Sequence, residues 1–127
     1  MKKKGLLIFL LVVIVSTLAF TGCTRKLMWS GNSGKDHIHA TYKRFTGTEK
    51  EGIRLKEGDT LVINYQSEVN EGTLSLTITD PDGNQVLSME SDTEGTERLG
   101  AEERGKYTLH IRGDETGGSF EINWSIE

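Results

Sequence analysis

Apolar residues recur at every second position in four separate runs of this chain. Leu61, Ile63 and Tyr65 alternate with Val62, Asn64 and Gln66, and Leu74, Leu76 and Ile78 alternate with Ser75, Thr77 and Thr79. Tyr107, Leu109 and Ile111 alternate with Thr108, His110 and Arg112, and Phe120, Ile122, Trp124 and Ile126 alternate with Glu121, Asn123 and Ser125. Period two with one apolar face predicts half-buried antiparallel strands. Shorter copies at Ile53/Leu55 and Val86/Met89, and the pair Tyr42/Phe45, add further strands. Turn-forming residues separate the runs: Lys56 to Asp59, Asn70 to Gly72, Asp80 to Asn84, and Gly113 to Gly118. The polar stretch Ser91 to Arg104 reads as one irregular strand between loops. No segment from His37 onward has helical periodicity. The expectation is an all-β fold over residues 37–127, a small antiparallel β-sandwich of about seven or eight strands with jelly-roll or immunoglobulin-like topology.

The first 22 residues read differently. Lys2, Lys3 and Lys4 precede an apolar run from Leu6 to Phe20. At 1.5 Å per residue that run reaches roughly 22 Å as a helix, short of a ~30 Å hydrocarbon core, so a signal helix is favoured over a permanent span. It ends in Phe20-Thr21-Gly22-Cys23, which resembles the bacterial lipobox, with Phe20 standing where that motif usually has Leu. The resemblance implies a diacylglycerol on the Cys23 sulfur, with Phe20, Thr21 and Gly22 forming the signal-peptidase recognition segment and cleavage after Gly22. The chemistry needs a thiol because a thioether forms, and two acyl chains anchor a protein stably. Residues 23–36, rich in Gly, Ser and Asn, then read as the lipidated cysteine and a flexible tether, placing the domain at the extracytoplasmic face of the cell membrane. Leu27, Met28 and Trp29 interrupt that polar stretch, either as an edge strand or as a lipid-interface contact.

Charge narrows the partners. Without Lys2, Lys3 and Lys4, 12 basic residues face 19 acidic ones, a formal charge of −7. Such a chain does not hold nucleic acid by phosphate neutralisation, and its net charge predicts repulsion from anionic headgroups, leaving the lipid alone to anchor it. The single cysteine excludes an internal disulfide, so stability must come from an apolar core.

Four segments, Leu55 to Leu61, Gly72 to Gly83 with its Asp-Pro-Asp-Gly ending, Gly105 to Leu109, and Gly117 to Phe120 leading to Trp124, resemble the small sandwich modules of the bacterial pre-peptidase C-terminal domain and, more distantly, the GOLD domain. The resemblance implies a non-catalytic module concerned with binding, secretion or protein contact, and transfers no binding residue.

Candidate chemistry is sparse. Asp80, Asp82 and Asn84 offer three hard oxygens in a short loop, although calcium takes six to eight and the glycine falls too early for an EF-hand. A tight turn, with Pro81 presetting φ and Gly83 at positive φ, explains the same residues. Glu90, Asp92, Glu94 and Glu97 would add ligands only if their loop folded over that turn. His37 and His39, spaced to share one strand face, form a candidate zinc or copper pair, with His110 as a conceivable third nitrogen. Trp29 and Tyr42 are the aromatics expected to be exposed, whereas Tyr65, Tyr107 and Trp124 lie in register with the core. No nucleophile elbow, metalloprotease helix, phosphate loop or free thiol is present, and the chain is not expected to be an enzyme. The expected function is a membrane-anchored lipoprotein whose sandwich binds an envelope protein or glycan without a cofactor. The alternative is metal or small-molecule binding at Asp80–Asn84 or at His37/His39.

Overall fold

The computed structural model describes residues 24–127. Phe20, Thr21, Gly22 and Cys23, and with them the signal helix, lie outside the described residues. Seven strands follow in order: β1 (Arg25–Leu27), β2 (Ser30–Ser33), β3 (His37–Leu55), β4 (Thr60–Thr79), β5 (Gln85–Met89), β6 (Glu94–Gly100) and β7 (Gly105–Ile126). All pairings are antiparallel. Among the described residues no helix is long and apolar enough to cross a membrane.

Three long strands organise the molecule. β7 lies between β3 and β4 over residues 108–123, and each of the three passes through both halves of the fold. In the first half β2, β3, β7, β4 and β6 lie side by side, with Ile38 opposite Ile122, Tyr65 opposite Ile122, and Tyr65 opposite Gly95. In the second half the order is β1, β3, β7, β4 and β5, with Ile53 opposite Tyr107 and Ile78 opposite Leu109 and Leu87. Register shifts between Tyr42 and Gly47 on β3, and between Val69 and Thr73 on β4, mark the corner where the sheet folds over. Among the described residues no helix covers either half, yet Leu61, Ile78, Ile111 and Ile122 are fully buried, so the halves cover each other. Their inward rows make one apolar cluster, the core of a β-sandwich.

The all-β expectation therefore holds, with two corrections of detail. Asn70–Gly72 and Gly113–Gly118 do not reverse the chain. They are bulged corners at which β4 and β7 change layer, so pairs of short predicted strands are single strands of 20 and 22 residues. Gly118 shows why glycine is needed: its φ is +138°, and a Cβ there would collide with the Glu68 carbonyl, 2.8 Å from its carbon. Gly and Asn clusters signal bends as well as turns, and period two cannot tell which. The second correction concerns residues 23–36. Arg25–Leu27 and Ser30–Ser33 are not a free tether but edge strands on β3, because Trp29 between them packs on the core.

Candidate functional site

An open cleft of about 600 Å³ lies on the outer face of the first half, continuous with a second of about 420 Å³ through Gln66, Glu94 and Glu121. Strand register dictates its floor. Outward side chains form cross-strand rows: Thr96, Asn64, Asn123 and His37 in one, and Glu94, Gln66, Glu121 and His39 in the next. Glu68, Ser119 and Thr41 make a third. Thr96 Oγ1 donates to Asn64 Oδ1 at 2.7 Å, and Gln66 Nε2 donates to Glu121 Oε2 at 2.9 Å. These bonds fix the amide planes and leave further lone pairs and N–H groups for a ligand.

One wall is the connection from β5 to β6, held by a reciprocal clasp. The Asp92 N–H donates to Ser67 Oγ at 2.9 Å, the Val69 N–H donates to Asp92 Oδ1 at 3.0 Å, and the Ser67 N–H donates to the Thr93 carbonyl at 3.0 Å. Asp92 sits at φ 58°, a left-handed conformation that Asp tolerates better than most residues. The clasp sets Thr93 and Glu94 beside the floor, and it explains why Ser67 is buried. Glu68, Glu94 and Glu121 line the cleft, against only His39 as a titratable base. Its field attracts cationic groups and repels anionic ones.

His37 and His39 share the cleft face as their spacing predicts, with rings 6.1 Å apart and nearly parallel. His37 Nδ1 lies 3.2 Å from Asp36 Oδ1. His110 is on the second half, hydrogen-bonded to Thr79 (3.0 Å), so the three histidines do not converge. Burial first, and Lys50 second, lower its pKa below the usual imidazole value.

Asp80–Asn84 is the β4–β5 hairpin turn. Asp80 Oδ1 accepts from the Asp82 and Asn84 N–H groups at 3.0 and 2.9 Å, and Gly83 has φ +90°. Asp80 and Asp82 do converge with a third carboxylate, but it is Glu103, which the sequence reading overlooked; the ligand oxygens lie within 4.8 Å of one another. Glu90, Asp92, Glu94 and Glu97 are not in this group. A hydrogen bond with Asp82, then burial and lastly the surrounding negative charge, raises the Glu103 carboxyl above its usual range. Three oxygens are half of what calcium requires.

The aromatic expectation fails. Tyr42 is buried and Trp29 half-buried, and Trp29 stacks on Tyr42 at 5.5 Å and meets Phe45 edge-on at 5.1 Å. The exposed large apolar side chains are instead Leu27, Met28, Val86 and Ile126. An extra turn of the β1–β2 connection through Met28, at φ 52°, drops Trp29 onto the core. Burial pushes the Tyr42 phenol up to about 12, with the Thr116 hydroxyl beside it opposing the shift. Neither hydroxyl reaches hydrogen-bonding geometry.

No protein-family model and no curated protein matches the chain. Among solved structures it is similar to the pre-peptidase C-terminal domain of a Bacillus anthracis collagenase, at 14% identity over 77% of this chain and 86% of that one, TM-score 0.47. It is also similar to a carbohydrate-binding module in complex with β-1,4-galactotriose, at 15% identity over 76% and 72%, TM-score 0.47. A third is a periplasmic inhibitor of g-type lysozyme from Aeromonas hydrophila, at 12% identity over 70% and 84%, TM-score 0.42. Likenesses of this strength do not extend to ligands.

Proposed function

We propose that the chain is a lipid-anchored, extracytoplasmic binding module, without catalysis of its own, that takes a polar glycan segment in the first-half cleft. The cleft carries the reading: four strands present fixed amide, carboxylate and hydroxyl groups on an open face that spans both continuous clefts. Planar side chains such as Gln66, Asn64, Asn123 and Glu121 suit paired hydroxyls, and pre-fixed hydrogen-bonding groups lose little entropy on binding. With no exposed aromatic platform among the described residues, recognition rests on hydrogen bonds, and affinity should be modest. Among the described residues no catalytic constellation is assembled. The Thr79–His110 hydrogen bond lies outside the cleft, and among the described residues His110 has no carboxylate partner to orient it.

Thermal unfolding of the protein with cell-wall glycan fragments tests this. A ligand at 100 times its Kd adds about 2.7 kcal/mol and raises Tm by roughly 10 °C or more. A shift abolished by Gln66→Ala and Glu121→Ala supports the cleft, whereas an unchanged shift in both variants refutes it. The anchor is tested separately: Cys23→Ser should leave the precursor at its higher mass, and normal processing of that variant refutes lipidation. A second reading, a divalent cation at the Asp80 hairpin, is favoured by the convergence of Asp80, Asp82 and Glu103. Calcium should then raise Tm in the native protein and not in Glu103→Gln.

A further inference from the structure

The outer face of the second half has the opposite charge from the cleft. There β3 and β7 turn Lys50, Arg54, Lys106 and Arg112 outward, all exposed, with Lys50 opposite His110, Arg54 opposite Lys106, and Arg112 opposite Thr48. From the Arg112 row to the Arg54 row the ladder runs six residues, about 20 Å. Among the described residues none of these four cations is in an ion pair. Asp114 is the acidic residue at the corner of this face. Of the other outward positions, Ser75, Thr77 and Thr108 are small and neutral, and the His110 ring is part-buried against Thr79. Burial is the first cause of the downward shift at His110, and the positive charge of Lys50 is the second.

Thr24 locates this face relative to the anchor. It lines the same open surface as Lys50 and Arg112, and its side chain approaches Gly47. The described chain therefore begins, at Thr24, on the edge of the basic face.

We propose that this basic face docks the domain on the surface of an anionic bilayer, so that the cleft, on the opposite face, points away from the membrane. The occupant is argued from the charge, the flatness, and the place where the chain arrives from residue 23; this last point rests on the lipid-anchor reading. Each Lys or Arg close to an anionic leaflet favours the docked state about fivefold. Four of them outweigh the repulsion that the domain's net charge exerts from the far side, which salt screens beyond about 8–10 Å.

The test uses the processed full-length protein reconstituted in phosphatidylcholine vesicles, with and without phosphatidylglycerol. Spin labels are placed at Ser75→Cys on the basic face and at Asn64→Cys in the cleft. With phosphatidylglycerol, the Ser75 label should be shielded from a water-soluble relaxation agent while the Asn64 label stays accessible. Lys50→Glu with Arg54→Glu should lower the docked-to-undocked ratio by roughly 25-fold or more at low salt, and less at high salt. Equal accessibility of the Ser75 label in both lipids overturns the proposal, and so does shielding of the Asn64 label instead. Shielding of Ser75 by soluble polyphosphate but not by vesicles also overturns it, assigning the face to a polyanion. Flotation keeps the two readings apart. Protein lost from pure phosphatidylcholine vesicles refutes the lipid anchor, whereas phosphatidylglycerol-dependent capture of that same protein still supports the basic face.

Discussion

Gly118→Ala tests the folded-over sheet at its tightest point. Gly118 pairs with Tyr42 on one side and Val69 on the other, at the corner where all three long strands change layer. Its φ of +138° is one that L side chains rarely adopt, and a Cβ would overlap the Glu68 carbonyl. The backbone strain is worth about 1–3 kcal/mol. Glu68 cannot swing aside as a side chain would, because the obstacle is backbone held in the β4–β7 ladder. Relief must disrupt one or two corner hydrogen bonds at about 1 kcal/mol each, along with the packing of Phe120 beneath. The sum is about 4 kcal/mol, against a net stability of about 5–15 kcal/mol for an ordinary domain. That corresponds to a Tm lower by roughly 15–30 °C. Two controls separate the causes. Gly83 has φ +90° with open space around it, so Gly83→Ala should cost only the conformational ~1–2 kcal/mol. Gly100 has neither constraint, so Gly100→Ala should be neutral or stabilising by about 0.4–1 kcal/mol. Urea and thermal melts followed by circular dichroism read all three. A Gly118→Ala protein within about 1 kcal/mol of wild type would refute the corner geometry.

Three further outcomes follow from groups already described. Tyr42→Phe removes a buried hydroxyl with no partner, so stability should be unchanged or higher; a loss above about 1 kcal/mol would mean that the hydroxyl is satisfied in solution. His110 has a folded-state pKa below its usual value, so folding favours its neutral form, and its contribution is present above about pH 6.5 and lost as pH falls below that value. His110→Gln should flatten stability against pH in that window, and identical slopes would contradict the assignment. Glu103 has the opposite sign. Its raised pKa means that the folded state favours the protonated acid, so stability declines as pH rises through the ordinary Glu range. Glu103→Gln should exceed wild type in Tm at neutral pH and lose that advantage in acid.

Period two made the strands and their inward faces legible. The core contains Leu61, Ile63, Leu76, Ile78, Leu109, Ile111 and Ile122 as alternation demands. Strand continuity was hidden, because Gly72 and Gly118 serve a bulge with the same residue type that serves a reversal. The cleft was hidden for a related reason. Gln66, Glu121 and His39 sit at positions 66, 121 and 39, and only the register of three long strands makes them neighbours. The Ser67–Asp92 clasp likewise joins residues 25 apart in sequence. Glu103 was missed beside Asp80 and Asp82 because a loop after β6 returns it to the hairpin, whereas local spacing pointed to Asn84.

Net charge alone does not say how charge is distributed over the surface, for a reason that alternation itself supplies. A formal −7 predicts repulsion from an anionic surface only if the charge is spread evenly. In a two-layered sheet each outward position belongs to one face or the other, so charges segregate by which half of a long strand they occupy. β7 shows this within a single strand: Lys106 and Arg112 face outward in the second half, and Glu121 faces outward in the first. The corner at Asp114–Gly118 is where the strand passes from one layer to the other. The same bulges that fold the sheet over thus give the domain an acidic, cleft-bearing side and a basic side next to residue 24. That polarity, more than the sum, governs which way a tethered sandwich turns at a charged surface, since a tether fixes distance while the field gradient fixes orientation.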